Sequence, residues 1–458
     1  MLPEMAESSS KTWSSNYVFL LASIGSTVGL SNIWKFTYLA GENGGGAFVL
    51  IYLFSLAVMG IPILAAEMMI GKRGGKSMVG TFQALQTKDG LHPAWKYFGW
   101  TAMITVFLIL SFYCVIAGWT LDYTIASLSG SLNHLTPEKS SSVYQTLLES
   151  PIRMILGQGV FVAATTWIVA MGVKDGLERS ISWMMPTLFI ILLALVIYAM
   201  VYGNFLDALN FLFAPDFSKI TPAVVLAASG QAFFSLGIGV GVMLTYGAYM
   251  PPHTSVLRSA IIIAFSDGLV SMLAGLAIFP IVFHYGLSPA EGPGLIFITL
   301  PITFAELTGG GIIGSLFFIL LVFAALTSSI SLLESVISHL EETIRASRVK
   351  ITVIAGIFLW ILGWGTIFSF NHLSNFTPLD FIKPLEGKTI FGLLDYISSN
   401  LLMPMGGILM AILAGWFLSS DVSFKEMNIT NPWQFRVWRF LIRFMAPLIV
   451  LALFIYNL

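Results

Sequence analysis

Charge is scarce in this chain. Asp, Glu, Lys and Arg make up 10% of its 458 residues, against roughly 25% in soluble domains. With 57% hydrophobic residues and a mean hydropathy of +0.86, this excludes an ordinary soluble protein. Net charge is lacking too. At −1 it offers no bulk attraction for nucleic acid or another polyanion. Cysteine is nearly absent: the single Cys114 cannot close an intramolecular disulfide and reads as a small core residue in an apolar run. Clustered His and Cys ligands, a nucleophile with an adjacent base, and a phosphate loop are all missing, so the sequence does not read as an enzyme. The first residues, MLPEMAESSSK, have no basic stretch before a cleavable apolar core, and no signal peptide is expected.

What is present is a series of long apolar runs. A span needs about 20 mostly apolar residues. Eleven are expected, at 15–38, 46–70, 95–125, 156–173, 180–202, 222–249, 257–284, 311–343, 350–370, 390–418 and 434–457. The connections, including 126–155, 203–221, 285–310 and 371–389, read as loops too short for a soluble domain. Lys and Arg set the orientation. With the N-terminus inside, 16 of the 22 fall on the inner side, so the N-terminus is expected in the cytoplasm and the C-terminus outside the cell. The chain reads as one multi-pass domain of the plasma membrane, in contact with the lipid bilayer.

Two spans carry a weak spot. The first holds GSTVGLSNIWKF, residues 25–36, rich in glycine and hydroxyls. The sixth holds SLGIGVG, residues 235–241, with three glycines in five positions. Glycine is a poor helix former and polar groups are unfavourable in lipid. Unwound backbone at that depth is tolerated where it lines a cavity or is buried in protein. Paired breaks in corresponding spans of two repeats mark a transporter's binding site. There the freed carbonyls suit cations, and the freed helix N-termini suit anionic groups.

The same stretches resemble the signature of the neurotransmitter:sodium symporter family. GSTVGLSNIWKF is followed by GENGGGAF (41–48), GIPILAAEMMIG (60–71), SFY (111–113), QAFFSLGIGVG (231–241) and AALTSSIS (324–331). The resemblance spans nearly the whole chain. It is strongest to bacterial eleven-span members that carry hydrophobic or aromatic amino acids. It implies an all-α polytopic fold with a five-plus-five inverted repeat and unwound first and sixth helices. Repeat one would cover about 12–202, repeat two about 222–418, with an extra helix at 434–457.

The resemblance also implies roles. A second sodium site would use Gly25, Val28 and Ala324 carbonyls with Thr327 and Ser328 hydroxyls. A first sodium site would use Thr27, Asn32, Ser235 and Asp267 together with the substrate carboxylate. That carboxylate would also meet the amides of Leu30 and Ser31 and the hydroxyl of Tyr113. Ser26, Ile109, Phe234, Gly237, Val240, Ser328 and Leu332 would complete the pocket, with Phe234 as an aromatic lid. Monoamine carriers of the family have an aspartate at the position of Gly29. A glycine there implies a substrate that brings its own carboxylate.

Ionisable residues at membrane depth read as functional by default. Lys35 and Asp395 resemble the family's outer gate pair, with lysine replacing the usual arginine and losing its bidentate fork. Glu67 is expected to bond the open backbone of the sixth span. Chloride-dependent members carry asparagine at the position of Asp267, and Tyr52, Gln231, Ser235 and Ser271 match their chloride-holding residues. A carboxylate there implies chloride-independent transport, and proton counter-transport once sodium has left. On the inner side Trp13 resembles the family's N-terminal plug, Glu342 the inner gate carboxylate, and Lys11 its partner. Gly176 and Pro186 resemble a glycine–nine–proline motif that lets the fifth span unwind. Glu334 has no role by resemblance. The expected function is import of hydrophobic or aromatic L-amino acids with two sodium ions by alternating access. The alternatives are a smaller amino acid, or a non-transporting sensor of the same fold.

Overall fold

A computed structural model describes residues 12–133, 135–287, 289, 294–307 and 309–457, and among them regular structure is entirely helical. Among the described residues nine helices are long and apolar enough to cross a membrane: Gly46–Gly74, Trp95–Leu128, Pro151–Ala170, Val173–Tyr202, Val256–His284, Gly310–Thr343, Arg348–Phe368, Ile390–Phe417 and Pro432–Asn457. A tenth crossing is the pair Asn16–Thr27 and Ser31–Glu42, bent by 54°. The remaining expected span, 222–249, is two pieces, Pro222–Ser235 and Val242–Ala248, neither long enough alone. A count of eleven therefore depends on taking those two pieces as one crossing. We number the segments one to eleven in chain order, the bent pair being the first and the divided pair the sixth.

Each break falls where the sequence is weakest. The first helix stops at Thr27 with Val28 in an extended conformation. The sixth stops at Ser235, and Gly237, Gly239 and Gly241 all have positive φ (59°, 88° and 79°). Any residue with a Cβ is strained there, so alternate glycines allow the chain to turn through six residues without helical bonds. Span lengths also differ from expectation. Segment five begins at Val173 rather than 180, through a π-helical turn Val173–Glu178.

The longer connections are not plain loops. Segment 126–155 contains a helix, Pro137–Leu148, opened by Thr136 as N-cap and proline at the first turn. Helices Phe205–Phe213 and Leu300–Glu306 lie in 203–221 and 285–310. Their apolar residues are too few to span, so periodicity over 20-residue windows misses them.

Packing between segments relies on close approach, as expected where lipid removes most of the hydrophobic drive between helices. A Cβ at Gly118 of segment three would lie 2.7 Å from the Gln158 amide nitrogen of segment four. The C-terminal end of segment ten is held to segment eleven by Arg439, buried, whose guanidinium donates to the carbonyls of Ala414 and Leu418, each at 2.7 Å. The last carbonyls of a helix lack intrahelical donors, and a cation there also suits the helix dipole.

Candidate functional site

The two breaks face each other across one cavity of about 420 Å³. Segment one contributes Ser26, Gly29, Leu30 and Ser31; segment three Ile109 and Tyr113; segment six Phe234, Ser235, Gly237 and Val240; segment eight Ser328 and Leu332. Every residue expected in the pocket therefore lines the same cavity. Met403 of segment ten and Met243 also line it, with no sequence signal to distinguish them from core methionines. At the end near segment one, a Cβ on Gly29 would lie 2.7 Å from Ser328 Oγ and 3.3 Å from Tyr113 Oη. The hydroxyls of Tyr113 and Ser328 thus converge on bare backbone.

Beside this end sits a polar cluster with no exposure. Asp267 accepts from Asn32 Nδ2 at 2.8 Å, from Tyr52 Oη at 3.1 Å, and from Ser235 Oγ. Ser271 Oγ lies 3.0 Å from Asn32 Nδ2 and 3.2 Å from Tyr52 Oη. The other end of the same amide, Asn32 Oδ1, accepts the Gly29 N–H at 3.0 Å. Gln231 donates to the Ser31 carbonyl at 3.0 Å. Asn32, Ser235 and Asp267 are therefore assembled, whereas the Thr27 hydroxyl turns back to Ile24 O at 3.1 Å. Three donors thus converge on one carboxylate.

A second cluster joins the first break to segment eight. Ser328 Oγ lies 3.4 Å from the Val28 carbonyl and 3.2 Å from that of Ala324. Thr327 Oγ1 lies 3.1 Å from Ala324 O, and a Cβ on Gly25 would lie 3.5 Å from Thr327 Cβ. These are neutral carbonyl and hydroxyl oxygens. Among the described residues no group of three or more His, Cys, Asp or Glu side chains could hold a metal ion. Neutral oxygens with one carboxylate suit a hard monovalent cation better than a transition metal.

The break in segment six is supported from segment two. The Gly239 N–H donates to Glu67 Oε1 at 2.6 Å, as the position of Glu67 implied. The expected outer gate pair, Lys35 and Asp395, is not closed. Lys35 Nζ lies 4.0 Å from the centre of the Phe234 ring, and Asp395, which lines the same cavity, accepts from Ser399 Oγ at 2.9 Å. A flexible ammonium stem gains a cation–π contact here rather than a carboxylate.

Near the start of segment one, Trp13 is buried. Its indole packs edge-on against Tyr246 and Tyr249, and its amide donates to Tyr249 O at 3.0 Å. Lys11 lies outside the described residues. Glu342 accepts from the Ser77 amide at 2.8 Å and from its hydroxyl. Glu334 has a place the sequence did not reveal: it pairs with Arg348 and accepts from Tyr249 Oη at 3.0 Å. Beside Trp13, the Ser14 amide and hydroxyl donate to the two oxygens of Glu178, at 2.8 and 2.7 Å. The π-helical start of segment five thus holds the start of segment one. With Glu178→Ala, amides 13–20 are expected to exchange with solvent at least about tenfold faster, measured by deuterium uptake.

Comparison with known proteins agrees with this geometry. The model of the sodium:neurotransmitter symporter family matches residues 10–146 and 151–458. The sodium-dependent transporter YhdH of Bacillus subtilis is 36% identical over 98% of each chain. The sodium-dependent dopamine transporter of Bos taurus is 26% identical over 98% of this chain and 69% of its own. The crystal structure of MhsT in complex with L-phenylalanine superposes with a TM-score of 0.88 at 39% identity, covering 98% of this chain and 99% of that one.

Proposed function

The chain belongs to the sodium:neurotransmitter symporter family, and we propose that it imports hydrophobic and aromatic L-amino acids with sodium by alternating access. The family and fold are those of sodium-dependent membrane transporters, not of enzymes. What carries the substrate reading is the polarity of the cavity. One end offers the backbone of Leu30 and Ser31 and the hydroxyl of Tyr113, with glycine rather than an acid at position 29; much of the remaining wall is apolar. An α-carboxylate fits the first end and a large apolar side chain the rest. The L-phenylalanine bound to MhsT supports the same ligand class.

In this reading sodium occupies two places. At the first, Thr27, Asn32, Ser235 and Asp267 act with the substrate carboxylate. At the second, the carbonyls of Gly25, Val28 and Ala324 act with the hydroxyls of Thr327 and Ser328. A substrate that ligates the ion makes each raise the affinity for the other by the same factor. Membrane potential then adds about 2.3 kcal/mol per 100 mV for each net charge moved inward. Asp267 supplies the negative charge that chloride brings in chloride-dependent members, so no chloride is required. After sodium leaves, a proton neutralises the buried carboxylate for the return step. The N-terminus is cytoplasmic and the C-terminus outside.

The test is uptake of labelled tryptophan, leucine and glycine into proteoliposomes with an inward sodium gradient and chloride replaced by gluconate. Accumulation of tryptophan or leucine is expected. Accumulation of glycine alone would move the substrate to small amino acids. Sodium-stimulated binding with no accumulation would make the protein a sensor, and uptake that rises steeply with chloride would remove the role given to Asp267.

A further inference from the structure

The break in segment six is confined on two sides. Toward segment ten the contact is backbone on backbone. A Cβ at Gly406 would lie 2.0 Å from the Gly239 carbonyl oxygen, and a Cβ at Gly239 would lie 2.2 Å from the Met403 carbonyl oxygen. Real Cβ atoms do not approach so closely, so Gly406 is a seat into which the middle of the break is pressed. Toward segment two the break is also held. Glu67 accepts the Gly239 N–H at 2.6 Å, a Cβ at Gly60 would lie 2.6 Å from Leu236 Cδ1, and just past the break a Cβ at Gly71 would lie 1.9 Å from the Leu244 carbonyl oxygen. The third side is the substrate cavity. There Gly237 lines the wall, and a Cβ on it would meet nothing within 4 Å.

We propose that Gly406, which lines no part of the cavity, is a specificity-determining residue: it sets how far the sixth-segment break recedes from the substrate and so how large a side chain is accepted. A methyl group at 406 displaces Gly239. Segment two blocks one direction and segment ten the other, so the displacement goes into the cavity. The cavity then loses volume beside Gly237 and Val240 while the carboxylate end, built on segments one and three, keeps its geometry. This inference rests on the proposed binding of amino acids in the cavity.

The experiment compares sodium-driven uptake of alanine, leucine and tryptophan by wild type, Gly406→Ala and Gly407→Ala in proteoliposomes. For Gly406→Ala, kcat/KM for leucine and tryptophan relative to alanine is expected to fall at least about tenfold, the scale on which a methylene is discriminated in an apolar pocket. Alanine uptake and its sodium dependence are retained. Gly407→Ala is the control, because its Cβ meets the Phe233 ring, at 2.8 Å, rather than the break; its ratios stay at wild type. Equal loss of all three substrates by a Gly406→Ala protein of wild-type thermal stability overturns the inference, as does an equal ratio shift in Gly407→Ala. Should Gly406→Ala fail to fold, deuterium uptake of residues 236–241 in wild type decides. Equal protection with alanine and with tryptophan supports a fixed seat; faster exchange with tryptophan means the break yields, and overturns it. A wild type that carries none of the three removes the proposed function and this assignment with it, whereas wild-type uptake with unshifted ratios in Gly406→Ala removes only the assignment.

Discussion

Asp267→Asn is expected to reduce sodium-driven uptake at least about 100-fold in chloride-free buffer, and to recover part of it when chloride is added. The carboxylate is fully buried and accepts from Asn32, Tyr52 and Ser235. Removing one member of a buried charge pairing costs about 3–5 kcal/mol, and 1.4 kcal/mol is a factor of ten. In the proposed cycle the bound sodium is the charge left unpaired. Asparagine preserves the volume and the bond to Asn32 but not the negative charge. The hydroxyls of Tyr52, Ser235 and Ser271 then surround a place where an anion is favoured. Titrating uptake against chloride in the variant reads this directly; wild-type uptake by the variant without chloride would assign the compensating charge elsewhere.

The second large effect is expected at Gly29. Gly29→Asp should abolish leucine and tryptophan uptake, to below about one hundredth of wild type. Two causes act together. The new Cβ would lie 2.7 Å from Ser328 Oγ, which must shift away. The new carboxylate then stands where the substrate carboxylate is proposed to sit, and two like charges in one buried site disfavour each other's ionised form. Uptake in proteoliposomes measures the loss. Gly29→Ala separates the causes, because it adds the Cβ without the charge. A loss as complete in Gly29→Ala as in Gly29→Asp would make the effect steric alone.

Much of this architecture was legible in the sequence because its signals are requirements of the lipid solvent. Helices in lipid must be long and apolar, and a glycine-rich, hydroxyl-rich patch inside one can persist only against a cavity. That logic located both breaks to within a few residues, and the family resemblance named the residues that line the cavity between them. Contacts that depend on packing were not legible. Nothing in the spacing of Lys35 tells whether its ammonium meets Asp395 or the face of Phe234, since a four-carbon stem reaches either. Glu178 stands in a run that reads as polar loop, and its clamp on Ser14 joins residues 164 positions apart. Gly406 looks like any other small residue of a membrane helix until the carbonyl of Gly239 is placed against it. The short helices in the connections were missed because they are too brief for an apolar window.

Asn32 has a consequence for how such a protein can change over time. The Oδ1 of its planar amide accepts the Gly29 N–H and the Nδ2 donates to Asp267. The group is rigid, so no rotation keeps one bond and gives up the other. In the proposed cycle, a change at Asn32 therefore disturbs the grip on cargo and the link to the driving ion together. Ile109 and Leu332 on the opposite, apolar wall touch neither bond, so they are free to vary without that double effect.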